Sequence, residues 1–183
     1  SEDTRFLLFA GRLHPQKDPV LLVRSLFALQ QPNIHLLIAG AGELAETVKA
    51  EIAKLGLAGQ VTMLGAVPPT QLAKLQQVCS AFVLTSAYEG LPLVALEALA
   101  CGTPVVTTAC GETPKLLTAN SGIVCRERTP EAIASAISQI LSNDKNYTIE
   151  ACVRNAAPYG VRQIVSDVYK NMWVRWEQHQ RST

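Results

Sequence analysis

Short apolar runs alternate with helical patterns along the whole chain, and this alternation limits the available folds more than any other feature. Phe6-Leu-Leu-Phe-Ala-Gly11 has no polar position, so a strand there keeps neither face for water. Nearly the same reading applies to Ile34-His-Leu-Leu-Ile-Ala39, Val61-Thr-Met-Leu64, Ala81-Phe-Val-Leu84, Pro104-Val-Val-Thr107 and Gly122-Ile-Val-Cys125, whose few polar members are His35, Thr62 and Thr107. Between these runs, Val20–Gln30, Glu43–Leu55, Thr70–Val78 and Leu93–Ala100 carry helical spacing. A short helical piece is expected near Thr113–Leu117, and longer ones at Glu131–Leu141, Tyr147–Ala156 and Val161–Gln178. Gly56 stands where a helix C-cap belongs, and Thr129-Pro130 is a start signal. Strands apolar on both faces and alternating with helices form parallel sheets covered on both sides. The expectation is therefore α/β: a doubly wound parallel sheet of about six strands with helices on both faces. It is a single domain over 1–183, with 161–183 as a C-terminal helix.

The 183 residues include 48% hydrophobic and only 17% charged side chains, so this chain has much interior and little surface. A net charge of +1 without any Lys/Arg stripe argues against a nucleic-acid partner. Apolar stretches such as Leu91–Cys101 fall short of the ~20 residues that span a bilayer, and Ser1–Arg5 has no signal-peptide pattern. The five cysteines are odd in number and lack C-x-x-C spacing, so they read as small buried hydrophobes in a reducing, cytoplasmic setting. The aspartates are Asp3, Asp18, Asp144 and Asp167, and no paired-Asp motif is present to hold a divalent cation. No metal and no cofactor is expected.

Ligands of such sheets bind outside the carboxyl ends of the strands, so the loops that follow strands carry the chemistry. The first strand runs into Arg12 and Lys17, a planar fork of donors and a point charge that together could neutralise a diphosphate. The fourth strand runs into Tyr88-Glu-Gly-Leu-Pro92, which opens a helix. Free backbone N–H groups around Gly90, Leu91, Leu93 and Val94 would form an anion site at that helix tip. Glu97 lies five residues beyond Pro92, ~7.5 Å along a helix, within reach of the ribose of a nucleotide whose phosphates sit at the tip. It is also the one charge in Leu91–Cys101, so it is expected to need a partner rather than open solvent. Glu89 is either a carboxylate favoured by the helix dipole or an acceptor for a sugar hydroxyl. Gly40-Ala-Gly42-Glu-Leu-Ala45 matches a dinucleotide fingerprint, but no acidic residue follows ~20 positions later, so it reads as a decoy. His14, His35 and His179 fit no metal or triad spacing. His35 reads as structural, and His14 keeps an open role in the first loop.

Glu89-Gly-Leu-Pro-Leu-Val-Ala-Leu-Glu97, running on through Gly102, resembles the E-x7-E motif of glycosyltransferase family 4, whose fold is GT-B. Gly11-Arg12-Leu13 with Lys17, Ile38-Ala-Gly40-Ala-Gly42, Val61–Gly65 and Pro104–Thr107 match the same family in order. The resemblance implies the C-terminal, Rossmann-like half of GT-B, binding a nucleotide-sugar donor, often a UDP- or GDP-sugar. It implies that Arg12 and Lys17 hold the diphosphate with backbone of Gly90 and Leu91, and that Glu97 binds the ribose. Glu89, the catalytic candidate, would contact the transferred sugar, and backbone near Met63 and Leu64 would hold the base. It implies retaining, metal-independent transfer to a hydroxyl, with the acceptor, a sugar or lipid-linked molecule, bound by an N-terminal domain absent from this chain. The isolated chain is then expected to be inactive, with any membrane contact made through the missing half. Cys110-Gly-Glu112-Thr-Pro-Lys115 departs from the family's G-G-x-P-E at Glu112 and Lys115. Ile164, Val168, Met172 and Trp176, with Trp173 beside them, mark a face of the last helix that either packs on its own domain or stays uncovered for self-association. The alternatives are a noncatalytic nucleotide-binding module, or half of a nucleotide-sugar epimerase or phosphorylase.

Overall fold

The computed structural model describes residues 4–143 and 145–181. Six strands form one parallel sheet: β1 (Arg5–Ala10), β2 (Ile34–Ala39), β3 (Val61–Gly65), β4 (Ala81–Leu84), β5 (Val105–Thr108) and β6 (Gly122–Cys125). The helices are α1 (Pro19–Leu29), α2 (Ala45–Lys54), α3 (Pro69–Val78), α4 (Leu93–Ala100), α5 (Thr113–Leu116), α6 (Pro130–Ser142), α7 (Ile149–Ala156) and α8 (Val161–Arg181), with a 3-10 turn at Ala157–Tyr159. Strand order is β3-β2-β1-β4-β5-β6. The expected six-stranded α/β architecture is what forms.

Each boundary has a local cause. Thr129 accepts from Ala132 N–H and Pro130 follows it, so α6 starts where the sequence signals it. Gly56 sits at φ +69°, just past the end of α2, and its N–H returns to Ala53. One cap was not foreseen. Asp18, at φ +45°, accepts from Leu21 N–H at 3.1 Å and opens α1 ahead of Pro19.

Right-handed crossovers dictate which face each helix covers. From β1 the chain steps outward through α1 and α2, which pack together; α6 returns against α1 and the β4–β6 side. From β3 the chain crosses back to β4 and then steps the other way, and α3, α4 and α7 pack together. With both faces covered, Leu7, Leu8, Phe9, Ile38, Phe82 and Val83 are completely buried, as the apolar runs require. The chain leaves β1 in one direction and β4 in the other. The crevice between those two strand ends is the topological switch point of a doubly wound sheet.

The cysteines divide. Cys79, Cys125 and Cys152 are buried, and loss of solvation pushes their thiols up to about 12, 11 and 11. Cys101 and Cys110 are only half-buried.

Helix α8 packs mainly on the 3-10 turn. Of its described side chains, Ile164, Val168, Met172, Trp173 and Trp176 are all exposed, so this face does not fold onto its own domain. Trp173 and Trp176 are the two tryptophans of the chain, with ring centroids 5.3 Å apart. In dilute solution their fluorescence is expected at the long-wavelength end and open to iodide quenching. Blue-shifted emission that iodide cannot reach would show this face covered.

Candidate functional site

The loops after β1 and β4 are built against one another. Ala87 N–H donates to the Gln16 carbonyl at 2.8 Å, and the Gln16 side chain donates to the Tyr88 carbonyl at 3.0 Å. The buried Thr85 hydroxyl lies 3.0 Å from the Lys17 carbonyl and 2.8 Å from that of Asp18. Arg128, from beyond β6, pairs with Asp18. Lys17 therefore stands on a loop fixed from two neighbouring loops.

A third loop, after β2, packs on the first. A Cβ at Gly40 would overlap the Gly11 carbonyl oxygen, and one at Gly42 would overlap that of Leu13. The glycine pair that imitates a dinucleotide fingerprint thus has a packing reason of its own: backbone meets backbone there.

These loops enclose a cavity of about 520 Å³ beyond the carboxyl ends of β1 and β4. Arg12 and Lys17 line it together with Glu89, Leu91 and the first turn of α4, Leu93 and Val94. The N–H groups of Leu93 and Val94 precede the hydrogen-bond ladder of α4 and carry the positive end of its dipole. Two cations and a helix tip thus line one space, an arrangement suited to an anion. Arg12 is exposed, while Lys17 is half-buried and paired with Glu89, whose Oε1 also accepts from the Ser86 hydroxyl at 2.6 Å.

Other expected residues sit differently. Gly90 is not in the cavity wall; its carbonyl accepts from Glu112 N–H at 3.3 Å, and Gly111, at φ +54°, packs on the Glu89 carbonyl. Met63 and Leu64 are half-buried in β3 and stop short of the cavity, whose wall at this end is Ala66, Val67 and Leu72. Those three carry no polar group or spacing that would mark them in a sequence.

Glu97 corrects an expectation. Its side chain is exposed and makes no hydrogen bond or ion pair among the described residues. Helix α4 has an open side after all, formed by Leu93, Glu97 and Ala100, because α3 and α7 cover only its other faces. Glu97 does share the face of Leu93 and Val94, one turn further from the tip, although it does not itself line the cavity.

His14 braces the first loop: its Nδ1 accepts from Gln16 N–H at 3.2 Å, and Nε2 lies 3.7 Å from Glu43. His35 is structural, bonded to Thr62 at 2.8 Å and edge-on to Phe6. The His179 side chain lies outside the described residues. Glu112 and Lys115 form a surface ion pair at 3.0 Å, so these two unusual residues satisfy each other. No described helix is long and apolar enough to cross a membrane.

Residues 1–157 match the family model described as glycosyl transferases group 1. An uncharacterised glycosyltransferase of Methanocaldococcus jannaschii is 34% identical over 144 residues, covering 78% of this chain and 37% of its own. The D-inositol 3-phosphate glycosyltransferase of Segniliparus rotundus is 35% identical over 141 residues, covering 73% of this chain and 31% of its own. The chain thus spans about a third of the length of these curated relatives. In structure it is similar to Anabaena HepE, solved in complex with UDP-glucose, with a TM-score of 0.84 at 22% identity, covering 94% of this chain and 49% of HepE.

Proposed function

Since the chain belongs to the group 1 glycosyl transferases, we propose that it is the donor-binding half of a member of glycosyltransferase family 4. In this reading it holds a nucleotide-diphosphate sugar at the switch-point crevice, for transfer to a hydroxyl with retention of configuration. The observation that carries the reading is the cavity that gathers Arg12, Lys17, Glu89 and the first turn of α4. Arg12 and Lys17 supply the positive charge that a diphosphate requires, so binding proceeds without a metal ion. Glu97 receives the ribose hydroxyls, and Glu89 receives a hydroxyl of the sugar. The acceptor is held by a second domain, which meets this one across the crevice and takes up the uncovered face of α8. The chain alone binds donor without turning it over, because transfer needs both reactants held together.

The test is calorimetric titration of the chain with UDP, GDP and ADP in the presence of EDTA. One of the three is expected to bind. Arg12→Ala, exposed and therefore neutral for stability, is expected to weaken it about tenfold, the share of one charged hydrogen-bonding partner. Absence of binding by all three, or binding indifferent to Arg12, would contradict the reading. So would glycosyl transfer by the chain alone.

A further inference from the structure

Glu89 is a nearly buried carboxylate, 6% exposed, and both of its partners fall on the same oxygen. Lys17 Nζ and Ser86 Oγ each donate to Oε1, while Oε2 accepts nothing among the described residues. No buried side-chain oxygen of the described residues lacks a partner, so Oε2 keeps accessible surface, and Glu89 is one of the residues that line the cavity. The backbone under both partners is anchored. The Lys17 carbonyl accepts from buried Thr85, and the Ser86 carbonyl accepts from the buried Thr108 hydroxyl at 2.6 Å. The cation meant for a phosphate is therefore shared with a fixed carboxylate before any ligand arrives.

We propose that the Lys17–Glu89 pair, steadied by Ser86, is the element that makes this site prefer a nucleotide sugar over the bare nucleoside diphosphate left after transfer. The inference rests on the proposed function, which places the diphosphate at Lys17. The terminal phosphate of a free diphosphate loses a second proton near pH 6, so at neutral pH it carries one more negative charge than the same phosphate esterified to a sugar. That extra charge arrives beside a nearly buried carboxylate held by two donors, in a crevice where screening is weaker than in water. The sugar ester lacks it and brings hydroxyl groups, which can donate to the open Oε2. Glu89 thus penalises the spent nucleotide and favours the intact donor.

The experiment takes whichever of UDP, GDP and ADP binds, together with its glucose ester, and titrates each into the chain, Glu89→Gln and Ser86→Ala. Glu89→Gln is expected to bind the free diphosphate about tenfold more tightly than the unaltered chain, with no gain for the ester. Ser86→Ala keeps both charges but frees the carboxylate, and is expected to narrow the preference for the ester about threefold. The readout is the ratio of two affinities, which a general loosening of the fold leaves unchanged. Equal or weaker diphosphate binding by Glu89→Gln, or an unchanged ratio in Ser86→Ala, overturns this inference while leaving the proposed function standing. If no nucleotide or ester binds to any of the three proteins, the proposed function fails and takes this inference with it.

Discussion

Glu97→Ala is expected to lower affinity for the nucleoside diphosphate about a hundredfold while leaving the melting temperature where it was. Two hydrogen bonds from a vicinal diol to an ionised carboxylate account for that loss, each contributing about 1.5 kcal/mol. Stability is untouched because the Glu97 side chain is exposed and, among the described residues, makes no hydrogen bond or ion pair. The position is suited to reading a pentose, since Glu97 is four residues past Leu93 on the same helix face, ~6 Å along the axis from the residue that lines the phosphate end. A double-mutant cycle with the ligand sharpens the test. The 2′-deoxy diphosphate has lost half of the diol, so it should bind the unaltered chain weakly and respond much less to Glu97→Ala. If ribo- and deoxy-nucleotides suffer equally, Glu97 does not touch the sugar of the nucleotide.

Gly40→Ala should be among the most damaging single methyls that the crevice can receive. Gly40 sits at φ +154° with its N–H on the Gly65 carbonyl at 2.7 Å, so it ties the loop after β2 to the end of β3. An added Cβ would overlap the Gly11 carbonyl oxygen, a backbone atom tied into the sheet through the Gly11 N–H bond to Ala39. No rotamer change relieves a clash between two backbones. The expected cost is about 3 kcal/mol, or ~10 °C in melting temperature for a domain of this size. Gly56→Ala is the control. It also has positive φ, at +69°, but nothing lies within 4 Å of its Cβ position, so only the left-handed conformation is penalised, by about 1 kcal/mol. Urea melts in which Gly40→Ala is no less stable than Gly56→Ala would show that the loops after β1 and β2 are not packed as described.

The six strands were readable because each is a local statement. Phe6–Ala10 or Ala81–Leu84 is apolar at every position whatever surrounds it, and the observed ends differ by at most a residue or two. Arg12, Lys17 and Glu89 were also readable, since loops after strands in such a sheet must gather at its carboxyl edge, and all three line the cavity. Exposure of Glu97 was not readable. The composition of α4 says that most of it is buried, but only the positions of α3 and α7 decide which strip is left open. Asp18 before Pro19 is a recognisable helix start, whereas its pairing with Arg128 joins residues 110 positions apart and leaves no trace in either neighbourhood. Ser86 did carry a signal: it precedes Glu89 by three residues, a spacing at which a hydroxyl can meet a carboxylate. Ala66, Val67 and Leu72 carried none, because small apolar residues in a loop look alike whether or not they wall a cavity.

The pairing of β1 with β4 also shapes the birth of the chain. Leu7 and Leu8 find their β4 partners, Ala81 and Phe82, only after more than seventy further residues have been made. On the ribosome β1, β2 and β3 can assemble first, as a half-sheet whose β1 edge is apolar and unpaired. That edge is a standing invitation to any other extended strand until β4 emerges. The join that creates the crevice therefore closes only after a half-sheet of three strands has been made, and until residue 81 is reached the β1 edge waits without its neighbour.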